Sequence, residues 1–133
     1  MKRMVERIMT LDTNHLDYGT DELPFSSATR ADSLLFVSGQ GGIDSETGEI
    51  KADDLEAQTI TTIKNIENIL RQHGLTLEDI VKVNIFLTER KHYQPFNQIY
   101  SRLMPRPYPA RTLVYCELNF DLLVEINVIA QFK

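Results

Sequence analysis

The sequence predicts an α+β domain, a mixed sheet with two helices packed on one of its faces. Three observations predict it. Two stretches, over 54–73 and from Pro95 to Leu103, place apolar residues at helical spacing. Apolar runs over 33–38, 80–87, 111–116 and 124–130 are short and rich in β-branched residues, as strands are. The two kinds interleave in the order β-β-α-β-α-β-β. The 133 residues fit one domain, 1–133, with no room for a second.

The elements follow in order. Residues 2–9 are short and mixed, a weak candidate for a first strand. Residues 10–26 are rich in Asp, Asn, Gly, Thr and Pro and read as loop. The run from Ser33 to Ser38 reads as a buried strand that ends at Gly39. Asp44 to Gly48 is a turn, in which Asp bonds its own downstream backbone and Gly accepts positive φ. One further short strand is allowed near 50. Asp53 opens the first helix, with Glu56 at capping-box spacing. Leu55, Ile63, Ile66, Ile69 and Leu70 form its apolar face, with Thr59 and Thr62 in the same stripe. Gly74 ends it, and Arg71 and His73 suit the negative end of the helix dipole. The strand over 80–87 reads as central and apolar on both sides. Pro95 starts the second helix, whose apolar face is Phe96, Ile99, Tyr100 and Leu103. Pro105, Pro107 and Pro109 end it and force an extended approach to the strands at 111–116 and 124–130.

Composition narrows the function. Hydrophobic residues make up 42% and charged residues 25%, the balance of a folded domain and not of a disordered tail. The formal charge is −5, whereas a protein that grips nucleic acid through its phosphates carries a basic excess. A single cysteine excludes an intrachain disulfide, and with three histidines a Cys/His zinc site is not expected. Glu6 and Arg7 interrupt any apolar leader, and no stretch approaches the ~18 apolar residues of a membrane span. The expectation is a soluble cytoplasmic protein with no membrane and no nucleic-acid partner.

Strong catalytic signatures are missing. There is no P-loop and no HExxH, and Gly39-Gln40-Gly41-Gly42 lacks the spacing of a phosphate cradle. His15, His73 and His92 are scattered, and Cys116 has no neighbouring His or redox partner. Arg111, at the start of an apolar strand, is a rim residue or a bidentate clamp for a ligand carboxylate. Glu125, between Val124 and Ile126, faces solvent from the sheet, or positions and deprotonates water. Ser38-Gly39 turns the chain or presents backbone N–H groups to a ligand.

Several short motifs in one order carry a resemblance. They are Pro24-Phe25-Ser26-Ser27-Ala28; Phe36-Val37-Ser38-Gly39-Gln40 with Ile43-Asp44 and Thr47-Gly48; Gln58-Thr59 with Asn65; Asp79-Ile80-Val81-Lys82; Asn97 and Tyr100; Pro109-Ala110-Arg111; and Val124-Glu125-Ile126. Together they resemble the RidA family, also called YjgF/YER057c/UK114. The resemblance implies a chorismate-mutase-like fold and a homotrimer with a central barrel of sheets, helices outside and ligand clefts between subunits. It implies hydrolytic deamination of 2-aminoacrylate/2-iminopropanoate and 2-iminobutanoate to 2-oxo acids and ammonia, with no metal or organic cofactor. Arg111 and Glu125 take the places of the catalytic residues. Phe25, Ser38, Gly39, Asn97 and Leu113 take those of the substrate-binding ones.

The chain departs from the family pattern at several points. Phe25 stands for a Tyr, Leu113 for a Cys, Ser27 for a Gln, and Asn119-Phe120-Asp121 precedes the last strand. Cys116 is not the cysteine of the pattern. These changes bear on substrate and keep three alternatives in view. They are a 2-aminomuconate-type deaminase with a longer substrate, a non-catalytic metabolite-binding regulator, and an RNA-directed activity that the negative charge disfavours.

Overall fold

The computed structural model describes residues 23–133 in full and, of the segment before them, the backbone of Val5–Ile8. Eight elements follow along the chain: β1 (Val5–Ile8), β2 (Ala28–Ala31), β3 (Leu34–Gly41), α1 (Leu55–Arg71), β4 (Ile80–Leu87), α2 (Tyr93–Leu103), β5 (Ala110–Tyr115) and β6 (Val124–Gln131). Short 3-10 turns at Leu77–Asp79 and Arg90–His92 lead into β4 and α2. The strands form one sheet in the order β1-β2-β3-β6-β4-β5. Its neighbours are antiparallel except β4 and β5, which run parallel through the α2 crossover.

Strand β2 was not expected. Its residues, Ala-Thr-Arg-Ala, form no apolar run. They become a strand because Asp32 and Ser33 turn the chain back on β3, pairing Ala31 with Leu34 and Ala28 with Val37. Asp32 holds φ 52, a left-handed value that Asp tolerates better than most residues. Strand β3 runs two residues past the expected end at Gly39, and its register with β6 shifts between Val37 and Gln40. Ser38 and Gly39 therefore lie in a bulge-like irregularity. The strand allowed near 50 amounts to a single bridge between Ile43 and Ile50.

The first helix starts one residue later than read. Asp54 is the N-cap, its carboxylate accepting from Ala57 N–H at 2.9 Å, while Asp53 lies outside at φ 60. No Asp53–Glu56 capping box forms. Gly74 closes the helix as expected. At φ 71 it donates to Arg71 O at 3.0 Å while Leu75 N–H reaches Leu70 O at 3.0 Å, the two bonds of a Schellman closure. Helix α2 begins at Tyr93, and Pro95 sits in a first turn whose N–H groups have no partner in the helix anyway.

The core lies between the helices and one face of the sheet. On β6, Val124, Ile126, Val128 and Ala130 are buried against it, with Leu35 and Val37 from β3 and Val83, Ile85 and Leu87 from β4. Ile63, Ile66, Ile69, Leu70, Phe96 and Tyr100 come from the helices. Strand β4 has neighbours on both sides, yet Lys82, Asn84 and Phe86 alternate with its buried residues and are only half-buried. It is interior but not apolar on both faces, because helices cover only one face. On the other face Asn84 Nδ2 donates to Asn127 Oδ1 at 2.8 Å.

Candidate functional site

Side-chain alternation and register decide where each candidate residue points. On the edge strand β5, Arg111 and Leu113 are level with buried Val83 and Ile85 of β4 and so share the helix-covered face. On β6, Glu125 alternates with buried Val124 and Ile126 and is level with Phe86, so it lies on the open face.

Around Arg111, helix α2 supplies the partners. Asn97 and Tyr100, three residues apart, fall on one side of that helix. Arg111 Nη2 donates to Asn97 Oδ1 at 2.7 Å, and its guanidinium carbon stands 5.2 Å from the centre of the Tyr100 ring. Burial pushes the Tyr100 phenol above its ordinary value of 10.0, against the opposing pull of the Arg111 charge, so the phenol is neutral near pH 7. Among the described residues Arg111 forms no ion pair. It is a half-buried cation held by neutral groups. Leu113 follows on the same face and packs against the core edge.

A second group surrounds Glu125. The carboxyl is half-buried, and burial raises its pKa above the ordinary 4.5. Among the described residues it has no ion-pair or hydrogen-bond partner. Gly39 lies beside it: a Cβ added there would stand 2.5 Å from Glu125 Oε2. Ser38 N–H donates to Ser27 O at 2.9 Å and Ser38 Oγ to Ser26 O at 2.6 Å, which ties the irregular part of β3 to the segment bearing Phe25. The Phe25 ring is 44% exposed. Gln58, buried in α1, steadies the approach to β6. Its Nε2 donates to the carbonyls of Lys51 and Asp121 at 2.9 and 3.1 Å, and its Oε1 accepts from Leu123 N–H at 2.8 Å.

The expected site residues therefore fall into two groups. Arg111, Asn97 and Leu113 stand at the β5 edge on the helix side, whereas Glu125 lies on the open face beside Gly39 of β3, and Ser38 ties β3 to the segment that bears Phe25. Strand β4 separates β6, which carries Glu125, from β5, which carries Arg111, so at about 4.8 Å per strand the two are about 10 Å apart across the sheet and on opposite faces of it. One chain does not bring Arg111 to Glu125. Tyr100 was read as part of an apolar helix face, and its place under Arg111 was missed. The signal in the sequence was its spacing of three from Asn97. Among the described residues no group of three or more His, Cys, Asp or Glu is placed to hold a metal ion, and no helix is long and apolar enough to cross a membrane.

A six-stranded mixed sheet with two helices on one face defines an α+β protein of the chorismate-mutase-like class. The chain belongs to the endoribonuclease L-PSP family, whose family model matches residues 20–132. This bears out the RidA-type resemblance at the level of family and fold. A RutC family protein of Saccharolobus solfataricus is 38% identical over 109 residues, covering 81% of this chain and 86% of the relative. The crystal structure of a Rid family protein from Yersinia pestis superposes with a TM-score of 0.84 at 34% identity, covering 96% of this chain and 99% of that one. The structure of RidA from an Antarctic Psychrobacter superposes with a TM-score of 0.79 at 31% identity, covering 85% and 92%.

Proposed function

We propose that the protein hydrolyses small 2-imino acids to 2-oxo acids and ammonia, at a site completed between copies of the chain in a homotrimer. One observation carries the reading. Arg111 and Glu125 are opposite charges, each half-buried, each without an ionic partner among the described residues of its own chain, and on opposite faces of the sheet. A half-buried charge left unpaired is costly, so such groups mark sites where something else is to be bound. A β5 edge laid against the open face of a neighbouring copy would set Arg111 of one chain near Glu125 of the other. Phe36 and Val114, about 40% exposed on that open face, support its burial against another copy.

The chemistry then assigns itself. The 2-imino acid carries a carboxylate beside an electrophilic C=N. Arg111 receives the carboxylate through parallel charge-assisted hydrogen bonds, with Asn97 occupying one of its donors. Glu125 takes a proton from water as the oxygen bonds to the imine carbon and passes that proton to the imine nitrogen, which gives a 2-amino-2-hydroxy acid. Glu125 then takes the hydroxyl proton and delivers it to the nitrogen as the C–N bond breaks, which leaves the 2-oxo acid, ammonia and Glu125 ionised again. A raised pKa suits a group that must both take and give a proton. Phe25 and Leu113 leave apolar walls for a short side chain.

The test is ammonia release from freshly generated 2-iminopropanoate, with and without the protein. The expected result is a protein-dependent acceleration that Arg111→Ala removes. A rate equal to the uncatalysed one, or full activity in the variant, overturns the reading.

A further inference from the structure

An arginine that is to receive an anion needs a fixed orientation and an uncancelled charge. The usual way to fix a half-buried arginine is a carboxylate, but that carboxylate would compete with the ligand. Here Arg111 is held instead by the Asn97 amide oxygen at 2.7 Å and by an aromatic face. We propose that Tyr100 is a positioning residue for Arg111: its ring underlies the guanidinium and holds it in place while leaving its full positive charge for the ligand carboxylate. The proposal rests on the clamp role of Arg111 proposed above.

The ring is itself held firmly. Tyr100 is 4% exposed and tilted against Phe96, with ring centres 5.5 Å apart and 36° between planes. Tyr108 lies on it at 6.3 Å and 38° and in turn carries the Arg106 guanidinium 5.3 Å from its centre. At 5.2 Å, Arg111 is within the ~6 Å over which a ring quadrupole attracts a cation. Among the described residues the buried Tyr100 hydroxyl has no hydrogen-bond partner. What the site uses is therefore the ring, and Phe would serve it as well.

The experiment measures pyruvate binding, as a stable 2-oxo acid, by calorimetry on the full chain and on Y100L, Y100F and R111A. The expected result is a loss of about threefold to thirtyfold in Y100L, the range of one cation–π contact, with Y100F within about twofold of the parent. Unchanged affinity in Y100L, with R111A binding weakly, overturns the role of Tyr100 and leaves the clamp standing. Unchanged affinity in R111A sinks the clamp and this proposal with it. Equal losses in Y100F and Y100L overturn it too, because the hydroxyl would then be the working part. Should Y100L fail to fold, nitrogen-15 NMR of the parent decides. The Arg111 Nε–H signal, assigned by its loss in R111A, is expected at an upfield ring-shifted position that Y100F retains, and an unshifted signal refutes the stacking.

Discussion

Replacing Gly39 by Ala adds one methyl group beside the proposed base. Gly39 is not among the residues with positive φ, so Ala meets no backbone strain there. Its Cβ would lie 2.5 Å from Glu125 Oε2 and 3.0 Å from Cδ. An ordinary carbon–oxygen contact is about 3.3 Å, so the carboxyl must retreat by about 0.8 Å. It is the end of a flexible side chain and can do so cheaply, and stability should change by less than about 1 kcal/mol. A catalytic group misplaced by about 1 Å loses about 10²-fold in rate, or about 2.7 kcal/mol of barrier. The expected outcome is a folded protein with its melting temperature nearly unchanged and kcat/KM for 2-iminopropanoate down about a hundredfold. Ammonia release and thermal melts measure the two quantities separately. Parent-level kcat/KM in Gly39→Ala would refute the claim that Glu125 acts from its position over Gly39.

Glu125→Gln should abolish the acceleration and yet stabilise the fold. Because burial raises the Glu125 pKa, the unfolded chain gives up this proton at a lower pH than the folded one, so folding loses stability as pH rises above 4.5. The variant should melt higher than the parent at pH 7, with the gain vanishing well below pH 4.5, and equal melting at both pH values would contradict this. For the same reason parent activity should rise with pH through that pKa, since only the carboxylate accepts a proton. Gln58→Leu would strand the Leu123 N–H and two carbonyls that Gln58 now satisfies, and denaturant titration should show a loss of about 2–4 kcal/mol. Asp54→Ala removes the N-cap of α1 and should lower stability by about 1 kcal/mol, whereas Asp53→Ala should leave helix capping intact.

Much of the architecture was legible because it is local. Leu55 through Leu70 carry a helical stripe, and Val124 through Val128 alternate apolar and polar, whatever the rest of the chain does; the apolar run Val128-Ile129-Ala130 breaks that alternation in the sequence. Strand β2 was not legible because Ala28–Ala31 has no preference strong enough to announce a strand, and pairing with β3 supplies it. Asp53 and Asp54 are the same residue type, and only the φ of 60 at Asp53 decides which caps α1. At the site, residue chemistry singled out Arg111 and Glu125, and the spacing of three put Tyr100 beside Asn97 on α2, but only the packing of α2 on β5 set its ring beneath Arg111.

By itself the sequence determined the family, the residue types of the two charged groups and the alternation within each strand. Only the tertiary structure decided on which side of the sheet each lies. Alternation sets which residues share a face, but the identity of that face depends on β5 pairing Arg111 with Val83 and β6 pairing Glu125 with Phe86. A one-residue slip in either pairing would exchange the faces. The burial of Val83, Ile85, Val124 and Ile126 under the two helices forbids that slip, and so sets Arg111 and Glu125 on opposite faces of the sheet.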